Sequence, residues 1–262
     1  MSIKEKLGVS IIGKLEGVTE TFVENGIRYL EFRVVKDDYD EIDERVRIIL
    51  AEKEKSGIIT RTVHLPQKSS FDLSQPEENL RLAALENQKR VVRHIFPLRP
   101  EVLVLHPCAG EVKDEVSPER VEALIRSLKE FTAYCKTMGM KVAVENLTNG
   151  MVQTSADMLP IMEAVGENVG ICFDVNHLLK ETHRDFIHKV GKYIITMHVS
   201  DNDGIQERHF LPGDGVINWK ELFEELSKIG YDKTMIVESG RMMSEFPASV
   251  NELCEKWERI HH

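Results

Sequence analysis

The sequence predicts an α/β chain folded as a single-domain (β/α)8 TIM barrel over residues 1–262, and three observations predict it. Short runs of Val, Ile and Leu alternate with longer amphipathic stretches along the whole chain, the pattern of parallel strands separated by helices. Gly26, Gly57, Gly139, Gly166 and Gly230 each stand at the end of an amphipathic stretch just before the next apolar run, as helix C-caps feeding strands do. At 262 residues the chain also matches the roughly 250 residues that close one such barrel.

Taken in order, the expected strands are Val9–Gly13, Ile27–Val34, Ile59–His64, Val102–His106, Lys141–Asn146, Gly170–Asp174, Ile194–Val199 and Met235–Ser239. Several are nearly unbroken apolar runs (VLVLH, KVAVEN, TMIVES), as strands of a sheet covered on both faces should be. The clearest helices are Glu77–Phe96, Pro118–Thr137 and Asn218–Ile229. The second opens on Ser117-Pro118, a capping residue followed by proline at the first helical position. The third places Trp219, Leu222, Phe223 and Leu226 on one face. A doubly wound open sheet is the competing topology, but no GxGxxG follows the first strand.

The composition narrows the function classes. Hydrophobic residues make up 42% and charged residues 30%, a balance suited to a soluble globule with a large core. No run approaches the roughly 18 apolar residues of a membrane span, and the N-terminal stretch lacks the apolar segment of a secretion signal. The expectation is a cytoplasmic protein without membrane contact. A net charge of −10 argues against a nucleic-acid partner, since phosphate backbones are bound mainly through Lys and Arg. Cys108, Cys135, Cys172 and Cys254 show no CxxC spacing and are expected to be reduced. The terminal His261-His262 pair is set aside as tag-like.

Six expected strands finish in a side chain able to bind a metal: His64, His106, Glu145, Asp174, His198 and Glu238. Parallel barrels carry their chemistry at that end of the strands. Each residue alone has a plain reading as a core hydrogen-bonding group or ion-pair member. Together they converge on one small mouth, where three carboxylates repel unless a cation lies among them. Three carboxylates with one imidazole make an ordinary donor set for a hard divalent ion. His177, three residues after Asp174, and Glu207 and His209, in the loop after the seventh strand, add donors at the same end. His94, His183 and His188 fall in helical segments and read as packing or surface residues, and Arg208 and Lys68 as surface charges rather than phosphate anchors. Cys108 and Cys172 lie near the mouth but have no electropositive neighbour to make a reactive thiolate.

The stretches YLEF, VHLP, LHP, VEN, FDVNH, HVSDNDG, HFLPGDGVINW and VES, running in this order from Ile27 to Ser239, resemble the xylose isomerase-like barrel superfamily. That superfamily groups sugar and sugar phosphate isomerases and epimerases with endonuclease IV. Resemblance to its ketose 3-epimerase branch implies one divalent ion (Mn2+, Mg2+ or Co2+) on Glu145, Asp174, His198 and Glu238. It also implies proton transfer through an enediolate by Glu145 and Glu238, and a substrate contact at His177. Resemblance to the endonuclease branch implies up to three Zn2+ ions on His64, His106, Glu145, Asp174, His177, His198, Glu207, His209 and Glu238. Glu207 departs from that branch, which has Asp there; ENLTNG and LHPCAG also differ from its loops, and no Arg-rich or aromatic wedge is present. Three readings stay open: a sugar or sugar phosphate isomerase or epimerase, a zinc-dependent abasic-site endonuclease or phosphodiesterase, and a barrel that binds metal or sugar without catalysis. The paired glutamates favour the first. The identity of the sugar is not legible, and a homo-oligomer is compatible with everything above.

Overall fold

A computed structural model describes residues 6–12, 15, 17–35, 37–109, 116–239 and 248–261. Its centre is a closed barrel of eight parallel strands in chain order: β1 (Leu7–Ile11), β2 (Tyr29–Arg33), β3 (Ile59–His64), β4 (Val102–Leu105), β5 (Lys141–Glu145), β6 (Val169–Asp174), β7 (Ile194–Val199) and β8 (Met235–Val237). Around it lie α1 (Thr19–Glu24), α2 (Tyr39–Ser56), α3 (Glu78–Ile95), α4 (Pro118–Thr137), α5 (Ser155–Val165), α6 (His183–Val190), α7 (Trp219–Lys228) and α8 (Ala248–His261). The expected fold is the observed one. The first strand sits two residues earlier than expected, and Gly13, its expected last residue, lies outside the described residues.

Alternation along each strand divides the apolar core. Outward residues such as Val9, Phe32, Val63, Leu103, Val144, Phe173, Val199 and Val237 pack against the helices in one continuous cluster. Val102, Val104, Ala143 and Cys172 form a small separate cluster with Ile195. This cluster alternates with the outward set, so it fills the barrel interior. Space there is tight: a Cβ on Gly170 would stand 2.5 Å from Ile195, and one on Gly8 2.5 Å from Ile236.

Helix ends follow local chemistry. Asp38 caps α2 by accepting from Asp40 N and Glu41 N, and Ser117 caps α4 through Arg120 N. Gly57 ends α2 at φ 77°, a left-handed conformation that a Cβ would penalise. Trp219, Leu222, Phe223 and Leu226 are buried on α7, the face its spacing predicts. Cys108, Cys135 and Cys172 are free and buried, whereas the side chain of Cys254 lies outside the described set. Among the described residues, no helix is long and apolar enough to cross a membrane.

Candidate metal centre

The strand register sets the site. Asp174 on β6 pairs directly with His198 on β7, Glu145 on β5 with Cys172 on β6, and Arg33 on β2 with His64 on β3. All nine residues expected from the sequence come together at the C-terminal rim. Glu145, Asp174, His198 and Glu238 are buried and offer ligand atoms within 4.8 Å of one another. Three further sets lie equally close: Glu145 with Cys172 and His198, and two that flank the first, His64 with His106 and Glu145, and His177 with Glu207 and His209.

Each ring is held from behind. His64 donates from Nδ1 to the carbonyl of Leu65 at 3.0 Å, His177 to that of Asn146 at 2.9 Å, and His209 to that of Glu238 at 3.0 Å. A carbonyl can only accept, so these contacts place a proton on Nδ1 and turn Nε2 toward the mouth. His209 takes φ 50°, an uncommon left-handed conformation for a residue with a Cβ. Asn146 ties β5 to β6, its amide oxygen accepting from Asp174 N at 2.8 Å and its nitrogen donating to Asp174 O at 2.9 Å.

The electrostatics of the centre fit a cation. Burial, then Arg33, pushes His64 down to about 4, so the ring is neutral at pH 7 with its proton on Nδ1. Its Nε2 accepts from Gln67 at 3.2 Å, yet also lies 3.0 Å from Glu145 Oε2, two electron-pair donors facing each other. His106 Nε2 stands 3.4 Å from the same carboxylate oxygen. Asp174 Oδ1 accepts from Asn176 N and His177 N, but Asp174 Oδ2 is buried without a hydrogen-bond partner. Glu238 Oε2 is likewise without one, although it comes within 3.0 Å of His198 Nδ1. Buried carboxylate oxygens left without partners are costly unless a cation takes them up. Burial pushes the Asp174 carboxyl up against the pull of His177, and Glu145 adds to the rise. For Glu145 burial acts the same way, but His198 and His106 outweigh it and hold the carboxyl well below its usual range. Burial opposes charge on His177 as well, but Asp174, Glu207 and Glu145 drive it up to about 10.

A cavity of about 250 Å3 opens over these groups, lined among others by Arg33, Gln67, His106, Thr148, Asn149, Glu207 and Glu238. A larger one of about 410 Å3 lies at the opposite end, against the starts of β5 and β6. Its lining of Lys136, Lys141, Glu167 and Asn168 gathers no metal-competent set, and that face of a barrel serves stability rather than chemistry.

Four residues that shape the site escaped the sequence reading. Arg33 pairs with Glu238, and Asn146 latches two strands. Glu31, fully buried in β2, accepts from Ser10 and Thr62 and lies 3.0 Å from His198 Nε2. Its only signal in sequence is a charge in the middle of YLEF, on the interior phase of the strand. Asp201, in HVSDNDG, accepts from Asn202 N, Gly213 N, Ile217 N and Trp219 Nε1 and so staples the loop HFLPGDGVINW to the barrel. A Cβ on Gly215 would fall 2.1 Å from Asn202 O, so this close approach requires glycine. The surface charges behave as expected: Lys68 pairs with Asp37, and Arg208 with Asp203. The helical histidines do too, with His94 against Asp43, His188 against Glu225, and His183 donating to the Val175 carbonyl. Burial pushes the Cys172 thiol up to about 12, which leaves it unreactive.

A family model described as xylose isomerase-like TIM barrel matches residues 20–257. Over 216 residues the chain is 29% identical to an uncharacterized protein of Methanocaldococcus jannaschii, covering 76% of this chain and 73% of that one. It is 26% identical over 132 residues to fructoselysine 3-epimerase of Escherichia coli O157:H7, covering 47% of each. A crystal structure of a D-tagatose 3-epimerase-like protein superposes with a TM-score of 0.79 over 98% of both chains, at 24% identity.

Proposed function

This chain belongs to the xylose isomerase-like TIM barrel family, and from that premise we propose that it is a divalent-metal-dependent isomerase or epimerase of a sugar or sugar phosphate. The observation that carries the reading is the pair of buried oxygens without partners, Asp174 Oδ2 and Glu238 Oε2, beside a cavity that Glu145 and Glu238 both line. The partial likeness to fructoselysine 3-epimerase supports it.

Glu145, Asp174, His198 and Glu238 would hold the ion, which when bound supplies Lewis-acid polarisation of the substrate carbonyl. Glu145 and Glu238 stand three strands apart around the rim, β5 against the end of β8, and both line the cavity. One carboxylate takes the proton from the carbon next to the carbonyl, and the C–H pair moves into a C=C bond while the carbonyl oxygen becomes an enolate oxygen. The other glutamate, entering the step as the carboxylic acid, gives its proton back and is left as the carboxylate. Return to the opposite face of the same carbon epimerises it; return to the former carbonyl carbon, with the neighbouring hydroxyl passing its proton to the enolate oxygen and becoming the new carbonyl, isomerises the sugar. His177, charged at neutral pH beside Glu207, is placed to donate to a substrate oxygen.

The test is a panel of ketoses and their phosphates, incubated in D2O with protein reconstituted with Mn2+. Deuterium at the carbon that changes configuration is expected. Conversion without solvent deuterium would sink the two-glutamate mechanism in favour of hydride transfer.

The two flanking donor sets favour a second reading, a three-zinc phosphodiesterase of the endonuclease type. Metal content separates the two: one Mn-like ion per chain supports the sugar enzyme. Three zincs, with metal-dependent incision of an abasic-site duplex, would reverse the ranking.

A further inference from the structure

Among the described residues, Glu31 is a carboxylate of the barrel interior that touches the metal-competent tetrad from behind and does not line the cavity. It comes from the middle of β2, where the register against β3 shifts between Leu30 and Glu31. The residue skipped there is Arg61 on β3, so Glu31 pairs with Thr62, the residue whose hydroxyl donates to it. Its Oε1 accepts from Ser10 Oγ at 2.9 Å, and its Oε2 accepts from Thr62 Oγ1 at 2.8 Å. The remaining partner of Oε2 is His198 Nε2 at 3.0 Å. On the far side of the ring, Nδ1 faces Glu238 Oε2 at 3.0 Å, Glu145 Oε1 at 3.2 Å and Asp174 Oδ2 at 3.9 Å. A metal binds the imidazole nitrogen that has given up its proton, so a metal-bound ring keeps one proton, on the other nitrogen.

We propose that Glu31 is a positioning residue that holds the His198 proton on Nε2 and leaves the Nδ1 electron pair directed at the space shared by Glu145, Asp174 and Glu238. The other anchored rings work with the opposite polarity: His64, His177 and His209 give Nδ1 to main-chain carbonyls and present Nε2. His198 faces the centre through Nδ1, so its anchor must reach Nε2, deep in the barrel, where strand carbonyls are engaged in the ladder. A buried side chain of another strand meets that need. A carboxylate also makes the ring a stronger electron-pair donor than a carbonyl does. Ser10 and Thr62 limit the cost of burying the charge by donating to it.

The inference rests on the metal reading of this site, and the experiment separates the two. Wild type, Glu31→Gln and Glu31→Leu are stripped of metal, checked for folding by circular dichroism, and titrated with Mn2+. In parallel, the Zn2+-loaded wild type labelled with 15N-histidine is examined by long-range 1H–15N correlation. Glu31→Leu is expected to weaken Mn2+ binding by about 10–100-fold, the usual effect of losing such a partner. Glu31→Gln, whose amide oxygen still accepts from Nε2–H, should recover most of that loss, which a purely structural role would not predict. The Zn2+-loaded wild type should show His198 protonated at Nε2 and bound through Nδ1. The reverse tautomer overturns the inference even if Glu31→Leu fails to fold, and so does a folded Glu31→Leu with wild-type affinity. A wild type that binds no divalent ion overturns the metal reading itself, and this inference with it.

Discussion

The indole Nε1 of Trp219 donates a 2.8 Å hydrogen bond to Oδ2 of Asp201, joining the first residue of α7 to the loop that leaves β7. Both residues are buried, and the same carboxylate accepts from the backbone of Gly213 and Ile217. Asp201→Ala leaves these donors facing a void, at about 1–3 kcal/mol for each unsatisfied buried group. The expected total loss is at least about 3 kcal/mol, read as a lower urea midpoint. Trp219→Phe removes one donor and should cost less. An Asp201→Ala protein as stable as wild type would show that the loop holds without its staple.

Removal of one anionic ligand tests the metal centre. Asp174→Ala deletes the carboxylate whose Oδ2 has no partner and leaves the barrel ladder intact. Divalent metal per chain, by elemental analysis after purification without chelator, should fall sharply with an unchanged circular dichroism spectrum. Equal metal content in both proteins would displace the site.

The acid–base pair makes the sharpest kinetic prediction. Glu145→Gln and Glu238→Gln keep the shape and one oxygen but remove the base, so each should lose about 10²–10⁴-fold in turnover at saturating Mn2+. One variant should still exchange the substrate proton of one epimer with D2O without completing the conversion. Near-normal turnover in Glu238→Gln, with metal bound, would exclude that residue.

Acid should unfasten a contact far from the site. Glu225 on α7 accepts from Lys228, His188 and Arg184, which together hold its carboxyl down at about 2, well below the usual carboxylate range. A carboxyl lowered in the folded state stabilises fully above the unfolded value and loses that contribution as pH falls toward the folded one. Glu225→Gln should therefore be less stable than wild type at pH 7, with the gap narrowing steadily from pH 5 to 3. A gap independent of pH would mean the hydrogen bonds matter and the charge does not. Thermal melts across that range decide it.

The strands and the rim were legible in the sequence because both leave local traces. An apolar run that ends in His64, Glu145 or Asp174 shows its phase directly, and a parallel barrel gathers all such ends at one mouth. Glu31 left no comparable trace. Its partners Ser10, Thr62 and His198 lie 21, 31 and 167 residues away, and only the barrel register brings them to it. Asn146 stood in plain view within VEN, but a latch between neighbouring strands follows no periodicity. HVSDNDG and HFLPGDGVINW, two of the stretches that carry the resemblance, are divided in role. His198 and His209 face the mouth, while Asp201, Gly215 and Trp219 brace the loop that carries them.

The two ways of anchoring the rings give the site an uneven tolerance of sequence drift. His64, His177 and His209 lean on the carbonyls of Leu65, Asn146 and Glu238, atoms that every amino acid supplies. The aim of each ring does not depend on the side chain behind that carbonyl, so Leu65 and the loops beside these rings are free to diversify toward new substrates, whereas Asn146 and Glu238 stay fixed by the strand latch and the metal set. His198 leans on a side chain instead, and a single substitution at position 31 takes its support away. Under random mutation the outer donors are buffered and the innermost one is exposed. Libraries that vary the mouth while holding Glu31, Ser10 and Thr62 constant should therefore keep far more metal-competent members than libraries that vary the barrel interior.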